Sequence, residues 1–286
     1  MTLVANDEKS YEKIIAKNKH TALLLRILTI AAASLTVVVL GFLVVYILVK
    51  GIPHLTPELF AWEYDSENVS MLPALINTLE MVFFTLLIAI PCGIGAAIYL
   101  VEYANAKNKL IPVIRMTAET LTGIPSIVYG LFGMLFFNQF FGMSILSGAL
   151  TLAIMVLPVI MRTTEEALVA VPKSYREGSF GLGAGKLRTI FRIVLPAALP
   201  GIFSGIVLSV GRIVGETAAL IYTAGTVTTA ATSLTSSGRT LAVHMYLLSK
   251  EGLNTDQAYA TAVVLLVLVI LINFVAGRIV RGKQKD

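Results

Sequence analysis

Long apolar runs constrain this sequence more than any other feature. Each approaches the ~20 residues that a helix needs to cross the hydrocarbon core of a bilayer. There are six, at about residues 26–49, 74–101, 116–137, 145–161, 201–222 and 260–279. Only 14% of the 286 residues are charged, against about 25% in an average soluble domain. The sequence therefore predicts an all-α membrane protein with six transmembrane helices.

Lysine and arginine are unevenly divided between the segments that connect these runs. Eighteen of the 22 fall on one side of a six-span arrangement, whereas Lys50, Arg239 and Lys250 fall on the other. Since basic residues accumulate in cytoplasmic loops, we expect both termini to be cytoplasmic. The net charge of +5 has the same origin, so no nucleic-acid partner is expected.

The charge pattern also suggests boundaries within the chain. Residues 1–25 are predicted to form a cytoplasmic N-terminal segment, residues 26–281 a transmembrane domain, and residues 282–286 a C-terminal tail. Residues 162–200 form a basic connection inside the transmembrane domain. Connections of this length are usually functional or disordered, and the helical stretches in this one favour function.

Residues 181–189, GLGAGKLRT, superficially suggest a phosphate-cradling loop. A P-loop needs a glycine where Phe180 stands and a serine or threonine where Leu187 stands. We therefore expect this chain to bind no ATP and no other cofactor. His20, His54 and His244 lack the spacing of metal ligands, so no metal site is expected either.

A spaced motif occupies the second half of this connection. Its members are Glu177, Gly178 and Ser179, then Gly183 after three residues, then Ile193, Leu195 and Pro196 after nine more. The pattern resembles the coupling motif of ABC importer permeases, with Gly178 and Ser179 in place of two alanines. The resemblance implies a type I ABC importer permease fold and a short cytoplasmic helix that docks on an ATPase subunit.

Elementary physics gives several motif residues a role. Gly183 is predicted to let two helices approach closely, Glu177 to favour a helix N-terminus, and Pro196 to end the connector. The alternative is an ordinary amphipathic surface loop.

Three further stretches resemble the phosphate-specific (Pst-type) permeases, and the PstA branch more than the PstC branch. They are residues 121–133, LTGIPSIVYGLFG, residues 157–172, LPVIMRTTEEALVAVP, and residues 211–220, GRIVGETAAL. The resemblance implies a phosphate importer subunit in a bacterial plasma membrane. Implied partners are a PstC-type permease, two PstB-type ATPase subunits that hydrolyse ATP, a PstS-type phosphate-binding protein, and membrane lipid. A permease for sulfate or molybdate and a receptor in phosphate signalling are the alternatives.

Arg212 and Glu216 interrupt the fifth apolar run with two charges. On one continuous helix, a spacing of four residues puts both side chains on one face. A charged face within a span is expected to line a protein interior or a watery pathway. Arg212 offers a donor fork suited to phosphate oxygens. Glu216 is predicted to hold Arg212 in the absence of phosphate or to accept a phosphate proton, and a structural salt bridge is the alternative.

Small residues share the broad face of the fifth run that carries these charges. Gly201 and Gly205 form one pair four positions apart, and Gly211 and Gly215 form another. This spacing lets transmembrane helices approach closely. Both pairs are predicted to allow close contact with a neighbouring helix.

Two more residues are predicted to line the substrate pathway. Arg162 ends the fourth run and is a second candidate anion ligand on the exit side, or else an anchor at the membrane surface. Ser126 follows Pro125, which frees a backbone carbonyl in the third run and predicts either a kinked, pathway-lining helix or a packing kink. Glu80 and Glu119 are interpreted as structural or interfacial groups. No catalytic residue is expected in this chain.

Overall fold

The computed structural model describes residues 2–104 and 108–283, and the side chains of residues 21–104 and 108–278. The predicted C-terminal tail therefore lies outside the described residues beyond Lys283. All regular elements of the described part are helical. The α-helices are α1 (Thr2–Gly51), α2 (Leu72–Ile98), α3 (Leu110–Thr122), α4 (Ser126–Phe136), α5 (Asn138–Phe141), α6 (Ile145–Ala170), α7 (Lys173–Gly181), α8 (Lys186–Thr189), α9 (Leu195–Val214), α10 (Ala218–Thr223), α11 (Leu241–Glu251) and α12 (Thr255–Lys283).

The chain divides into two compact units, Met1–Lys50 and Gly51–Asp286. The first unit consists of α1, which continues without a break through the boundary predicted at residue 25. It includes the predicted first span, which is long and apolar enough to cross a membrane. The second unit holds all the other helices.

Three predicted spans of the second unit are single long helices. They are found at Leu72–Tyr103, Ile145–Ala170 and Thr255–Arg278. Residues 99–103 of the first of these form a wider π turn. The second continues about two turns beyond the predicted end, into the stretch predicted as a connection. It stops before Pro172, because the residue preceding a proline is disfavoured in α-helical geometry, and Val171 is indeed extended.

The predicted third span is two helices rather than one kinked helix. The axes of α3 and α4 differ by 103° across residues 123–125. Pro125 lacks an amide hydrogen and holds an extended backbone (ψ 140°), so the helix stops and starts again. The break is sharper than the kink expected from the sequence.

The predicted fifth span is wrong at both ends. A helical stretch runs from Lys186 to Val214 and includes a π turn at Ile190–Val194. Pro196 lies inside this stretch, near the start of α9, and does not end the connector. The wider turn before Pro196 accommodates its missing amide. The helix ends at Gly215, and the short α10 follows.

The core of the second unit forms where α2, α6 and α9 pack side by side. Its apolar centre includes Met81, Leu152 and Leu220, all fully buried. A Cβ atom on Gly201 would lie 2.6 Å from the Ala167 Cβ of α6, so the first glycine pair does allow close packing. Gly211, in contrast, has open space around it, so the close contact predicted for the second pair is absent from the described residues.

Candidate functional site

Two helix breaks meet in the middle of the second unit. Helix α4 follows the break at residues 123–125, and α10 follows the break at residues 215–217. A Cβ atom on Gly130 of α4 would lie 2.7 Å from the Ala219 Cα of α10. Only glycine permits this approach, so the two restarted helices are in backbone contact. The residues at their N-terminal ends are thereby brought to one place.

Arg212 occupies the last turn of α9, beside these breaks. Its side chain is half-buried and makes no ion pair or hydrogen bond with the described residues. A basic group at a helix C-terminus is favourable because of the helix dipole. Its charge acts on the hydroxyl of Tyr129 in the first turn of α4. The guanidinium donors of Arg212 are therefore available to a ligand at this break.

Tyr129 bridges the break between α3 and α4. Its side chain is 5% exposed, and its hydroxyl donates to the Leu121 carbonyl at 2.8 Å. That carbonyl belongs to the last turn of α3 and also accepts the Ile124 N–H at 3.2 Å. Tyr129 was not predicted as a site residue, although an aromatic hydroxyl four residues after a helix-breaking proline was the available signal.

Glu216 is buried and serves the next helix instead of pairing with Arg212. Its Oε1 atom accepts the backbone N–H of Ala219 at 3.1 Å, which caps the start of α10. The shared helical face and the Arg212–Glu216 pair expected from the spacing are therefore wrong for this structure. The reason is the end of α9 at Val214, which places the two residues on different sides of a break.

Ser126 is the first residue of α4. Its side chain is half-buried, and its hydroxyl has no hydrogen-bond partner among the described residues. No side chain caps this helix start. Uncapped amides and the helix dipole favour an anion at such a place. Ser126, the start of α4 and Arg212 together form an arrangement that can bind an oxyanion.

Arg162 lies in a separate, strongly charged cavity between α3 and α6. Its Nη1 atom lies 3.3 Å from Glu119, and its Nε atom lies 3.1 Å from Glu166. Arg115 pairs with Glu165 in the same cavity, which has a volume of about 250 Å³. Arg162 is thus neutralised by carboxylates, and the structure does not bring it to Arg212. The partners from α3 were missed because they lie more than 40 positions away in sequence.

Helix α7 and the following turn contain the first part of the predicted coupling motif. The short helix implied by the resemblance is present at Lys173–Gly181. Ser179 is buried, and its hydroxyl hydrogen-bonds that of Thr189 at 2.8 Å. Gly183 has φ +80° and open space around its Cα, so the backbone conformation, not close packing, requires glycine there.

Glu177 and Gly178 are exposed on α7. Glu177 is the fifth residue of the helix, so the favourable helix-start interaction predicted for it is wrong. The other motif members, Ile193, Leu195 and Pro196, lie in the helical stretch that leads into α9. Leu182, between the two halves, is 91% exposed.

Comparison with known proteins identifies the family. Residues 89–284 match the family described as "Binding-protein-dependent transport system inner membrane component". The chain belongs to this family. It is therefore a multi-pass membrane permease subunit of an ABC transporter, a family that works with ATPase and binding-protein partners.

This permease has relatives of similar length and others that it matches only in part. It is 33% identical to the probable ABC transporter permease protein YqgI of Bacillus subtilis (strain 168), covering 86% of this chain and 90% of that protein. It is 42% identical to the phosphate transport system permease protein PstA 1 of Mycobacterium tuberculosis (strain ATCC 25618 / H37Rv) over 53% of this chain. It spans about half the length of that relative (49%).

Solved structures share the architecture of this permease. The permease chain of the inward-facing MetNI methionine ABC transporter has a TM-score of 0.58 and 24% identity, covering 74% of this chain and 93% of that chain. A bacterial alginate ABC transporter gives a TM-score of 0.61 and 16% identity, covering 87% and 94%. At these identities the likeness concerns the fold, and it confirms the predicted type I importer permease architecture.

Proposed function

We propose that this permease is the PstA-type subunit of an ATP-driven phosphate importer in a bacterial plasma membrane, with both termini cytoplasmic. The names of several relatives include phosphate transport. The observation that carries the proposal is Arg212, a guanidinium within a span that has no carboxylate partner among the described residues and whose charge acts on Tyr129 in the first turn of α4. A half-buried cation without a counter-ion in a span favours an anionic ligand.

Phosphate suits this arrangement better than sulfate for a chemical reason. Arg212 presents two parallel donors to phosphate oxygens, and the Ser126 hydroxyl supplies another donor. Glu216 uses Oε1 to cap α10, which leaves its other oxygen to accept a proton from HPO₄²⁻ or H₂PO₄⁻. Sulfate carries no proton at neutral pH, so it would meet the buried carboxylate without a hydrogen bond. Glu216 then acts as the selectivity group of the site.

Arg162 is proposed as a second contact on the exit side of the pathway. Glu119 and Glu166 occupy its donors in this structure, so phosphate must compete with them. This competition keeps anion binding weak at the point of release. A weak exit site is what transport requires, because a tightly held anion leaves slowly.

The proposed complex contains a PstC-type permease, two PstB-type ATPase subunits and an external PstS-type phosphate-binding protein. ATP is hydrolysed in the ATPase subunits, and this chain binds no cofactor. Glu177, Gly178, Ser179 and Gly183 would contact or shape the surface that receives an ATPase. The remaining motif residues, Ile193, Leu195 and Pro196, would relay its movement along the helical stretch that contains Arg212 and ends at Val214.

The test is uptake of labelled phosphate by the purified complex in liposomes. Arg212→Gln and Arg212→Lys should abolish uptake while the subunits still co-purify. Arg278→Gln, which removes a positive charge near the end of α12, is the matched control and should transport normally. Normal uptake by Arg212→Gln contradicts the site. Uptake of sulfate or molybdate in preference to phosphate by the unaltered complex would identify a different oxyanion as the substrate.

A further inference from the structure

The end of α2 contacts the coupling helix α7 through a shielded ion pair. Arg176 of α7 donates from Nε and Nη2 to the Glu102 Oε1 atom, at 3.0 and 2.7 Å. The two side chains are only 18% and 10% exposed. Two donors converging on one carboxylate oxygen, away from water, make a far more persistent contact than a surface ion pair.

Arg176 also holds the end of α6. Its Nη1 atom donates to the Val171 carbonyl at 3.0 Å, and its Nη2 atom donates to the Leu168 carbonyl at 3.0 Å. The Leu168 carbonyl also accepts the Val171 N–H at 3.3 Å, so Arg176 adds a further donor to this helix end. One guanidinium therefore joins α7 to the ends of both α2 and α6.

The residue after Glu102 makes a second contact with the coupling region. The Lys186 ammonium lies 4.7 Å from the centre of the Tyr103 ring, within cation–π range. Lys186 begins the helical stretch that continues to Val214. Glu102 and Tyr103 both belong to the π turn Tyr99–Tyr103. Two adjacent residues of one turn thus contact α7 on one side and the start of the α8–α9 stretch on the other.

The direct chain connection between α7 and α8 is a short turn. Residues 181–185 include three glycines, Gly181, Gly183 and Gly185, and a Cβ atom at any of them would meet open space. Backbone hydrogen bonds, among them that from the Ala184 N–H to the Ser179 carbonyl at 3.1 Å, hold this turn to α7. The side-chain contacts of Arg176 and Lys186 give α7 and the following helical stretch a second link to the spans.

Apolar packing completes such a link. Leu100 of the π turn is buried in one cluster with Leu168, Val171 and Val194, which come from the ends of α6 and of the second π turn. Helix α2 also packs along α6 through the core of the unit. A displacement of the π turn is therefore passed to α6 and to the helical stretch that leads into α9.

We propose that Glu102 and Tyr103 form a clamp that makes α7 and the end of α2 move as one body, so that ATPase movement reaches the central spans through α2 as well as through α9. Glu102, Arg176, Tyr103 and Lys186 are positioning residues in this scheme. None of the four clamp residues is a fixed position of the coupling motif. Lys186 lies between two fixed positions, Gly183 and Ile193. The inference rests on membership of the permease family and not on the identity of the transported anion.

Spin-label distances in the assembled complex test the clamp without reference to the substrate. Labels are placed at Tyr99→Cys in the π turn and Tyr175→Cys in α7, both exposed, in a Cys92→Ser background. The distance distribution should be narrow and unchanged between the nucleotide-free and ATP-bound states. Glu102→Gln should broaden it or make it respond to ATP. A distance that changes with ATP in the otherwise unaltered complex overturns the proposal.

Coupling efficiency provides the second readout. Glu102→Gln and Arg176→Gln should leave ATP hydrolysis measurable but lower transport per ATP by at least about fivefold, the scale of a typical coupling energy. Arg176→Lys retains a positive charge beside Glu102 and should lose less than Arg176→Gln. Lys109→Gln, an exposed charge at the start of α3, is the control. Transport per ATP that is unchanged in both Glu102→Gln and Arg176→Gln contradicts the clamp.

Discussion

Arg212 and Glu216 lie on opposite sides of a helix end: Arg212 closes α9, and Glu216 caps α10 by accepting the N–H of Ala219 at 3.1 Å. The break separates two charges that an unbroken helix would have paired. Among the residues that the structure describes, it leaves the guanidinium without a carboxylate, and it gives the carboxylate a local structural bond. The two residues can therefore be perturbed separately.

Substitutions of Glu216 should separate its capping role from its proposed proton-accepting role. Glu216→Gln keeps an oxygen for the Ala219 amide, so the thermal stability of the complex should change little, whereas the preference for phosphate over sulfate should fall. Glu216→Ala also loses the cap, which costs about 1 kcal/mol. Uptake of labelled phosphate in competition with sulfate measures the selectivity, and thermal unfolding measures the stability lost with the cap. Equal selectivity in the unaltered complex and in Glu216→Gln would contradict the proton-accepting role.

Removal of the Ser126 hydroxyl should weaken anion binding modestly. A neutral hydrogen bond contributes about 0.5–1.5 kcal/mol, so Ser126→Ala should raise the KM for phosphate by about two- to tenfold. Assembly should be unaffected, because the hydroxyl has no protein partner among the described residues. Ser126→Thr retains the hydroxyl and serves as the control. The prediction fails if both variants have the KM of the unaltered complex.

Two glycines of α9 should respond in opposite ways to alanine. A Cβ atom at Gly205 would collide with the Thr163 side chain of α6, whereas Gly211 has open space. Gly205→Ala should destabilise the permease by about 1–3 kcal/mol through overpacking. Gly211→Ala should be neutral or slightly stabilising in this chain, because alanine favours helix. Denaturation of the purified subunit in detergent compares them, and equal midpoints would contradict the packing assigned to α9.

The sequence was informative where one element determines its own structure. Continuous apolar runs predicted α2, α6 and α12, since length and hydropathy alone specify a span. The end of α9 was missed because the apolar pattern continues past Gly215 without a proline. The pairs of Arg162 with Glu119 of α3 and of Arg176 with Glu102 of the first π turn were missed, because they depend on tertiary packing. The close contact predicted for Gly183 was wrong, because spacing alone does not distinguish a positive φ from a close approach.

Acidification should weaken the region around α11 through His244. This side chain is fully buried, and burial, reinforced by the nearby Arg239 charge, lowers the pKa of His244 to about 3. An unfolded histidine titrates near 6.5. The unfolded chain therefore binds more protons between these values, so the stabilisation is complete above pH 6.5 and is lost as pH falls toward 3. Between these two pKa values, the His244 contribution to the free energy of unfolding falls by up to about 1.4 kcal/mol per pH unit.

A His244→Leu variant isolates this contribution, because other groups titrate over the same range. Leucine fills a similar apolar space beside the Tyr64 ring. The Tyr64 and His244 rings are in edge-on contact, with their centres 6.3 Å apart. Thermal unfolding of the two proteins at pH 7.5 and pH 5 should show a smaller acid-induced loss for the variant. A Thr232→Leu control alters an exposed site between α10 and α11. Its pH dependence of stability should match that of the unaltered protein. Identical pH dependence in His244→Leu and the unaltered protein would show that His244 is accessible to protons in the folded state.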